Sequence, residues 1–178
     1  MEKKLILNAL RLDRVGEKSG DGLVPIEGYA CHYGVANHNG EIVDENSFSY
    51  WLGKMKEGGV MPIFNYQHGS DIIGGWDRFE SDATGLKGYG HLNTNVAFVR
   101  DNVLPLVESG DVTYLSTEGW CDWDSIEERG DSLYLGKFIL CGVSLVSLPA
   151  DFGAKMTIKN EYAAWKQQHK PERVITIY

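Results

Sequence analysis

Two short segments carry the residues best suited to chemistry: Asn65-Tyr66-Gln67-His68 and Tyr114-Leu115-Ser116-Thr117-Glu118-Gly119-Trp120. Each lies at the end of a strand-like apolar run that breaks into glycine or polar residues, and they supply a histidine and a serine respectively. An imidazole that accepts a serine's hydroxyl proton makes that serine a nucleophile for acyl transfer, provided the fold brings the two within hydrogen-bond reach. Taken singly, both have plainer readings. His68 precedes a polar Gly69-Ser70-Asp71 turn and fits a surface turn, and serines at strand ends are common. Ser144 and Ser147, the rival nucleophiles, sit inside an apolar run and read as packed or outward-facing strand serines.

The elements that must position these residues are mainly strands. Glycine, with 21 copies, punctuates the chain at short intervals, and the runs between predict strands over residues 4–12, 23–33, 60–66, 72–79, 86–92, 112–123, 132–137 and 138–148. Many short strands at this spacing point to a barrel or sandwich. A helix is expected after Ser47 as N-cap, because Phe48, Trp51, Leu52 and Met55 form one apolar stripe that Gly58-Gly59 ends. A second is expected over residues 94–109, kinked or restarted at Pro105 and stopped by Gly110. A short third spans 161–169, followed by a Lys170-Pro171-Glu172-Arg173 linker and an apolar tail, Val174 to Tyr178.

Composition excludes several classes of function. At 178 residues, 43% of them hydrophobic, the chain suits one core domain, with 1–155 as the domain and 156–178 as a C-terminal helix and tail. The net charge of -8 repels phosphate, and no basic cluster exceeds Lys3-Lys4, so neither nucleic acid nor an anionic membrane is an expected partner. No apolar run approaches the roughly 20 residues that span a bilayer. Cys31, Cys121 and Cys141 lack both disulfide-framework and zinc spacing. They read as small hydrophobes in strands, which suits a reducing compartment and leaves a cysteine nucleophile poorly supported. His32 and His38 match no zinc pattern, so no metal or other cofactor is expected.

The landmarks also have an order. Ile26-Glu27-Gly28-Tyr29-Ala30 comes first, then Gly40-Glu41-Ile42-Val43 before the Phe48/Trp51/Leu52 helix, then Gln67-His68. Ile73-Gly74-Gly75-Trp76-Asp77, Gly85-Leu86-Lys87-Gly88-Tyr89-Gly90 and Leu115-Ser116 follow, and Val143-Ser144-Leu145-Val146 with Pro149-Ala150 closes the series. Over about residues 24–155 this succession resembles the prohead (capsid maturation) serine proteases of tailed bacteriophages, whose fold is similar to that of the herpesvirus assembly proteins. The resemblance implies an α+β, mainly β fold: a closed β-barrel flanked by helices. It implies a serine endopeptidase with His68 as general base and Ser116 as nucleophile, and an oxyanion-binding backbone amide near Pro149-Ala150-Asp151. Its partners would be the major capsid protein, through its scaffolding region, and further copies of the chain in a dimer or higher homo-oligomer. Its place would be the assembling procapsid in the host bacterial cytoplasm.

One position departs from the pattern. Relatives commonly enter the Val-Ser-Leu-Val run through a glutamate, and the viral cousins through a histidine, where this chain has Gly142. The group that orients the imidazole must then come from elsewhere, or the enzyme runs as a Ser-His dyad, or it is impaired. Glu118 ranks first as substitute, since residues i and i+2 of a strand share a face; Asp151 and His91 are the others. The competing reading is a catalytically impaired protease-fold scaffold or adaptor protein of procapsid assembly.

Overall fold

The computed structural model describes residues 2–6, 10–37, 40–147 and 167–168. Ten strands and two α-helices follow one another as β1 (Glu2–Ile6), β2 (Leu10–Val15), β3 (Leu23–His32), β4 (Glu41–Ile42), α1 (Glu45–Lys56), β5 (Gly74–Ser81), β6 (Gly85–Asn93), α2 (Leu104–Ser109), β7 (Tyr114–Asp122), β8 (Ile126–Arg129), β9 (Ser132–Leu135) and β10 (Phe138–Val146). The chain is therefore mainly β with a few helices. Seven strands form one sheet in the order β1-β7-β2-β3-β6-β5, with β10 also paired to β7, and β4-β9-β8 form a smaller one.

β7 is the hub of the larger sheet. β1 pairs with its C-terminal half and β2 with Tyr114 and Leu115, while β10 runs antiparallel along nearly its whole length. A register shift between Leu140 and Gly142 sets Gly142 opposite Glu118 and Ser144 opposite Ser116. Because strand side chains alternate between faces, Ser116 and Glu118 share one face of the β7/β10 pair with Ser144 and Gly142.

The expected strand over 60–66 forms no regular strand. The segment is nonetheless fixed by backbone bonds on both sides. Toward β10, Ile63 and Gln67 N–H donate to the Cys141 and Leu145 carbonyls, and Val143 and Leu145 N–H donate back to Ile63 and Asn65, which is a parallel arrangement. Toward β5 and β6, Ile73 N–H donates to Phe64 O, and Asn93 N–H to Ile73 O. Phe64 anchors the segment in the core, 1% exposed, with its ring centroid 4.7 Å from that of Trp76. The Trp76 indole N–H donates to Val143 O on β10, so the same cluster also holds the strand beside it.

The helices differ from expectation at their starts. α1 begins one turn early: the Asp44 carboxylate caps the Asn46 and Ser47 amides, and Ser47 returns a bond to the Asp44 amide as a capping box. Ser47 Oγ also donates to the Leu135 carbonyl, tying α1 to β9, while Phe48 packs on Phe138 of β10. The helix expected over 94–109 is present from residue 97, with a π-helical stretch over Val99–Val103 that runs into α2, and Pro105 falls where the π-helix gives way to α2. β8 was not expected, and the expected single strand over 4–12 is split into β1 and β2. The third helix lies outside the described residues except for residues 167 and 168, which are helical. The linker and the apolar tail also lie outside them. No helix among the described residues is long and apolar enough to cross a membrane.

Because Phe64 docks the segment that leads to His68, Phe64→Ala is expected to lower stability by about 3–5 kcal/mol. Denaturant melts of wild type and variant measure it.

Candidate active site

The turn that carries His68 is built at a cost. Tyr66, Gln67, His68 and Gly69 close a four-residue turn through Gly69 N–H to Tyr66 O at 2.9 Å. Its two central residues, Gln67 (φ 54°) and His68 (φ 55°), both adopt the left-handed conformation that non-glycine residues avoid. Such strain persists where the surroundings over-determine it, and here they do. The parallel ladder to β10 runs through Gln67 N–H, the Gln67 side-chain amide donates to Ser147 Oγ at 3.0 Å, and Asn65 Nδ2 donates to Gly69 O at 2.9 Å. The turn thus leaves the edge of β10 with its histidine reaching back over the sheet.

Four positions lie beneath the ring: Ser116 and Glu118 on β7, and their partners Ser144 and Gly142 on β10. His68 Nε2 is 2.9 Å from Ser116 Oγ. Nδ1 is 3.0 Å from Ser144 Oγ and 3.4 Å from Glu118 Oε2. Ser116 and Ser144 have no exposed surface and Glu118 is 3% exposed, whereas the His68 side chain keeps 21%. The imidazole is therefore the part of the group that meets solvent, and the Glu118 carboxyl group lies buried beside it.

Gly142 explains why Glu118 fits. A Cβ at this position would stand 2.7 Å from Glu118 Oε1 and 2.9 Å from its Cγ, closer than packed atoms approach. The side chain missing from β10 leaves the room that the carboxylate of β7 fills. Of the other candidates considered for this role, His91 pairs with Asp77 (3.3 Å) on the β5/β6 ladder, and Asp151 lies outside the described residues. The loop expected to bind the oxyanion, at Pro149-Ala150-Asp151, also lies outside them.

Two of the three cysteines, Cys31 and Cys121, offer no competing nucleophile. Burial pushes the Cys31 thiol up to about 12 and the Cys121 thiol up to about 11. At neutral pH neither holds an appreciable thiolate fraction.

A model of caudovirus prohead serine proteases matches residues 11–168, most of the chain. The chain belongs to that family. The family is one of serine proteases, which implies peptide hydrolysis through a serine as its reaction class. Among solved structures, the chain is similar to the capsid assembly protease gp21 of bacteriophage T4, with a TM-score of 0.65 at 13% identity, covering 82% of this chain and 97% of that one. At that identity the likeness concerns the fold. No curated protein matches the chain.

The structure brings His68, Ser116 and Glu118 together, and adds two residues that were not singled out from the sequence for this place. Ser144 reads there as a packed or outward-facing strand serine. It is packed, but against His68. Asn65, 2% exposed, lies behind it. The available signal was register: Ser144 precedes the Leu145 that pairs with the His68 turn, but the bulge at residue 141 hides which β10 residue faces Ser116.

If Gly142 is small because Glu118 occupies its space, Gly142→Ala is expected to destabilise by about 1–3 kcal/mol. In a Glu118→Ala background the same change is expected to cost less by at least about 1 kcal/mol, the coupling that a double-mutant cycle of chemical melts reads. Treating the folded protein with iodoacetamide at pH 7 is expected to leave Cys31 and Cys121 unmodified in a peptide mass map.

Proposed function

We propose that this chain is the endopeptidase that cleaves the scaffolding region of its phage's major capsid protein, and itself, inside the assembling procapsid. Family membership supports the reaction class, and the likeness in fold to the T4 capsid assembly protease supports the substrate class. The observation that carries the residue roles is the line from Ser116 Oγ through the imidazole to the Glu118 carboxylate, 2.9 Å on one side and 3.4 Å on the other.

The mechanism follows from that line. Ser116 Oγ–H donates to His68 Nε2, and as Oγ attacks the scissile carbonyl carbon its proton passes to the imidazole. The buried Glu118 carboxylate stabilises the imidazolium that results, and Nε2–H then delivers the proton to the departing amine. Water deprotonated by the same nitrogen resolves the acyl-enzyme. An amide of the loop near Pro149-Ala150-Asp151 is the proposed donor to the oxyanion, a contribution of about 2.7–4 kcal/mol where such donors have been removed.

Two architectural readings belong with this function. The segment over 63–67 joins β10 on one side and, through Phe64 and Ile73, reaches β5 and β6 on the other. We read it as the staple that closes the larger sheet into the expected barrel. A homo-oligomer confined in the procapsid is the proposed working state. The rival, an impaired scaffold or adaptor, drew its support from Gly142. With the Glu118 carboxylate in that space, its support is weakened.

Coexpression of the protease with its scaffold-bearing capsid protein tests the reading by gel mobility of the capsid band. Ser116→Ala is expected to leave the precursor uncleaved while shells still form. Glu118→Gln is expected to slow cleavage, because the imidazolium formed during the attack loses its buried counter-charge. Equal processing by wild type and Ser116→Ala would falsify catalysis by Ser116.

A further inference from the structure

We propose that Asn65 and Ser144 fix the proton of His68 on Nδ1, so that Nε2 faces Ser116 bare and ready to accept. The inference rests on His68 being the general base, and names what holds it in the form a base needs. A neutral imidazole carries its proton on either nitrogen, and only the tautomer with a free Nε2 can take the Ser116 proton.

The argument begins at a group that can only accept. Gly69 O is a carbonyl, so the Asn65 atom 2.9 Å from it is the amide nitrogen, which donates. This orientation turns Asn65 Oδ1 toward Ser144, with which it makes a hydrogen bond. Oδ1 has no proton, so the single hydroxyl proton of Ser144 goes to it. Ser144 Oγ is then left with lone pairs for its other neighbour, His68 Nδ1, at 3.0 Å. Nδ1 must supply that proton. Nε2 is thereby left to accept from Ser116 Oγ at 2.9 Å. Direction is transmitted from Gly69 O to Ser116 through four successive bonds, each donor defined by the one before.

The arrangement is well sheltered. Asn65 is 2% exposed and Ser144 not at all, so water does not offer either an alternative partner. The same Asn65 bond pins the strained turn on which His68 sits, coupling ring position to ring protonation. Glu118 and Ser144 therefore divide the work at Nδ1. The carboxylate favours the charged ring after proton transfer, and the serine selects the tautomer of the neutral ring before it. Asn65 and Ser144 touch no reacting atom and act as positioning residues.

The test pairs kinetics with ¹⁵N-histidine NMR of the resting enzyme, the His68 signals being assigned with a His68→Gln variant. Wild type is expected to show a protonated Nδ1 and a pyridine-like Nε2. In Asn65→Ala the Ser144 hydroxyl is released to donate to Nδ1, so the Nε2–H tautomer should grow. There kcat should fall on the order of 10- to 100-fold, as when groups that fix a working histidine are removed, with KM within about twofold. Asn65→Ala/Ser144→Ala removes the misdirected donor and leaves Glu118 Oε2, 3.4 Å from Nδ1, as a weaker acceptor, so it is expected to regain the Nδ1–H tautomer and part of the lost kcat. Ser144→Thr keeps a hydroxyl and should keep the wild-type spectrum. An Asn65→Ala enzyme with wild-type tautomer and kcat, or a double variant slower than Asn65→Ala, overturns the proposal. Should Asn65→Ala fail to fold, Ser144→Ala against Ser144→Thr reads it: loss of kcat in the first and rescue in the second supports the relay, and equal rates overturn it. The spectrum is read without turnover, so a failure of Ser116 catalysis would appear separately, as continued cleavage by Ser116→Ala.

Discussion

The site depends on the docking of an irregular segment, residues 63–67, along the outer edge of β10. Nothing in that segment is a regular strand, yet it exchanges four backbone bonds with β10 and buries Phe64 against Trp76. Those contacts fix where the chain must turn. The turn at Gln67 and His68 is strained, and the ladder before it and the Asn65 bond beneath it hold it in place. A histidine on a freely mobile loop would spend most of its time away from Ser116. Here the backbone determines the ring's position to within hydrogen-bond distance of β7.

A second constraint follows from packing on the β7/β10 pair. Four side-chain positions share a small area of sheet, and they cannot all be large. Ser116 and Ser144 are small, Glu118 is long, and Gly142 contributes only backbone. Since cross-strand partners share a face, a carboxylate reaches the same point in space from either strand of the pair, and the presence of one excludes the other. The absence at Gly142 and the presence of Glu118 are thus one structural fact. The carboxylate is buried beside an imidazole, where an unpaired charge would be costly and a paired one is effective.

Much of this was legible in the sequence, for identifiable reasons. Strand alternation places Ser116 and Glu118 on one face whatever the topology, and the apolar stripe through Phe48 and Trp51 marks α1 without knowledge of its neighbours. The parts that were not legible depend on pairing. Asp44 rather than Ser47 caps α1, and the Ser47 hydroxyl serves both the Asp44 amide and the Leu135 carbonyl, the second a contact between elements far apart in the chain. The segment over 60–66 has the composition of a strand, but only partners at both edges could show that it makes isolated bridges rather than a ladder. Ser144 looked like core filling, since its role follows from a bulge that only the β7/β10 register reveals. The asymmetry is physical: local periodicity is written in neighbouring residues, whereas register is set by contacts between distant ones.

The central claim is that Ser116, activated by His68, is the atom that forms the acyl-enzyme. A peptidyl phosphonate ester, which bonds covalently to activated serines, tests it directly when the modified protein is digested and mapped by mass spectrometry. The account predicts one adduct, on Ser116, lost when His68 is replaced by Ala in a protein that still folds. An adduct on Ser144 or Ser147, or labelling of Ser116 undiminished without His68, would contradict it.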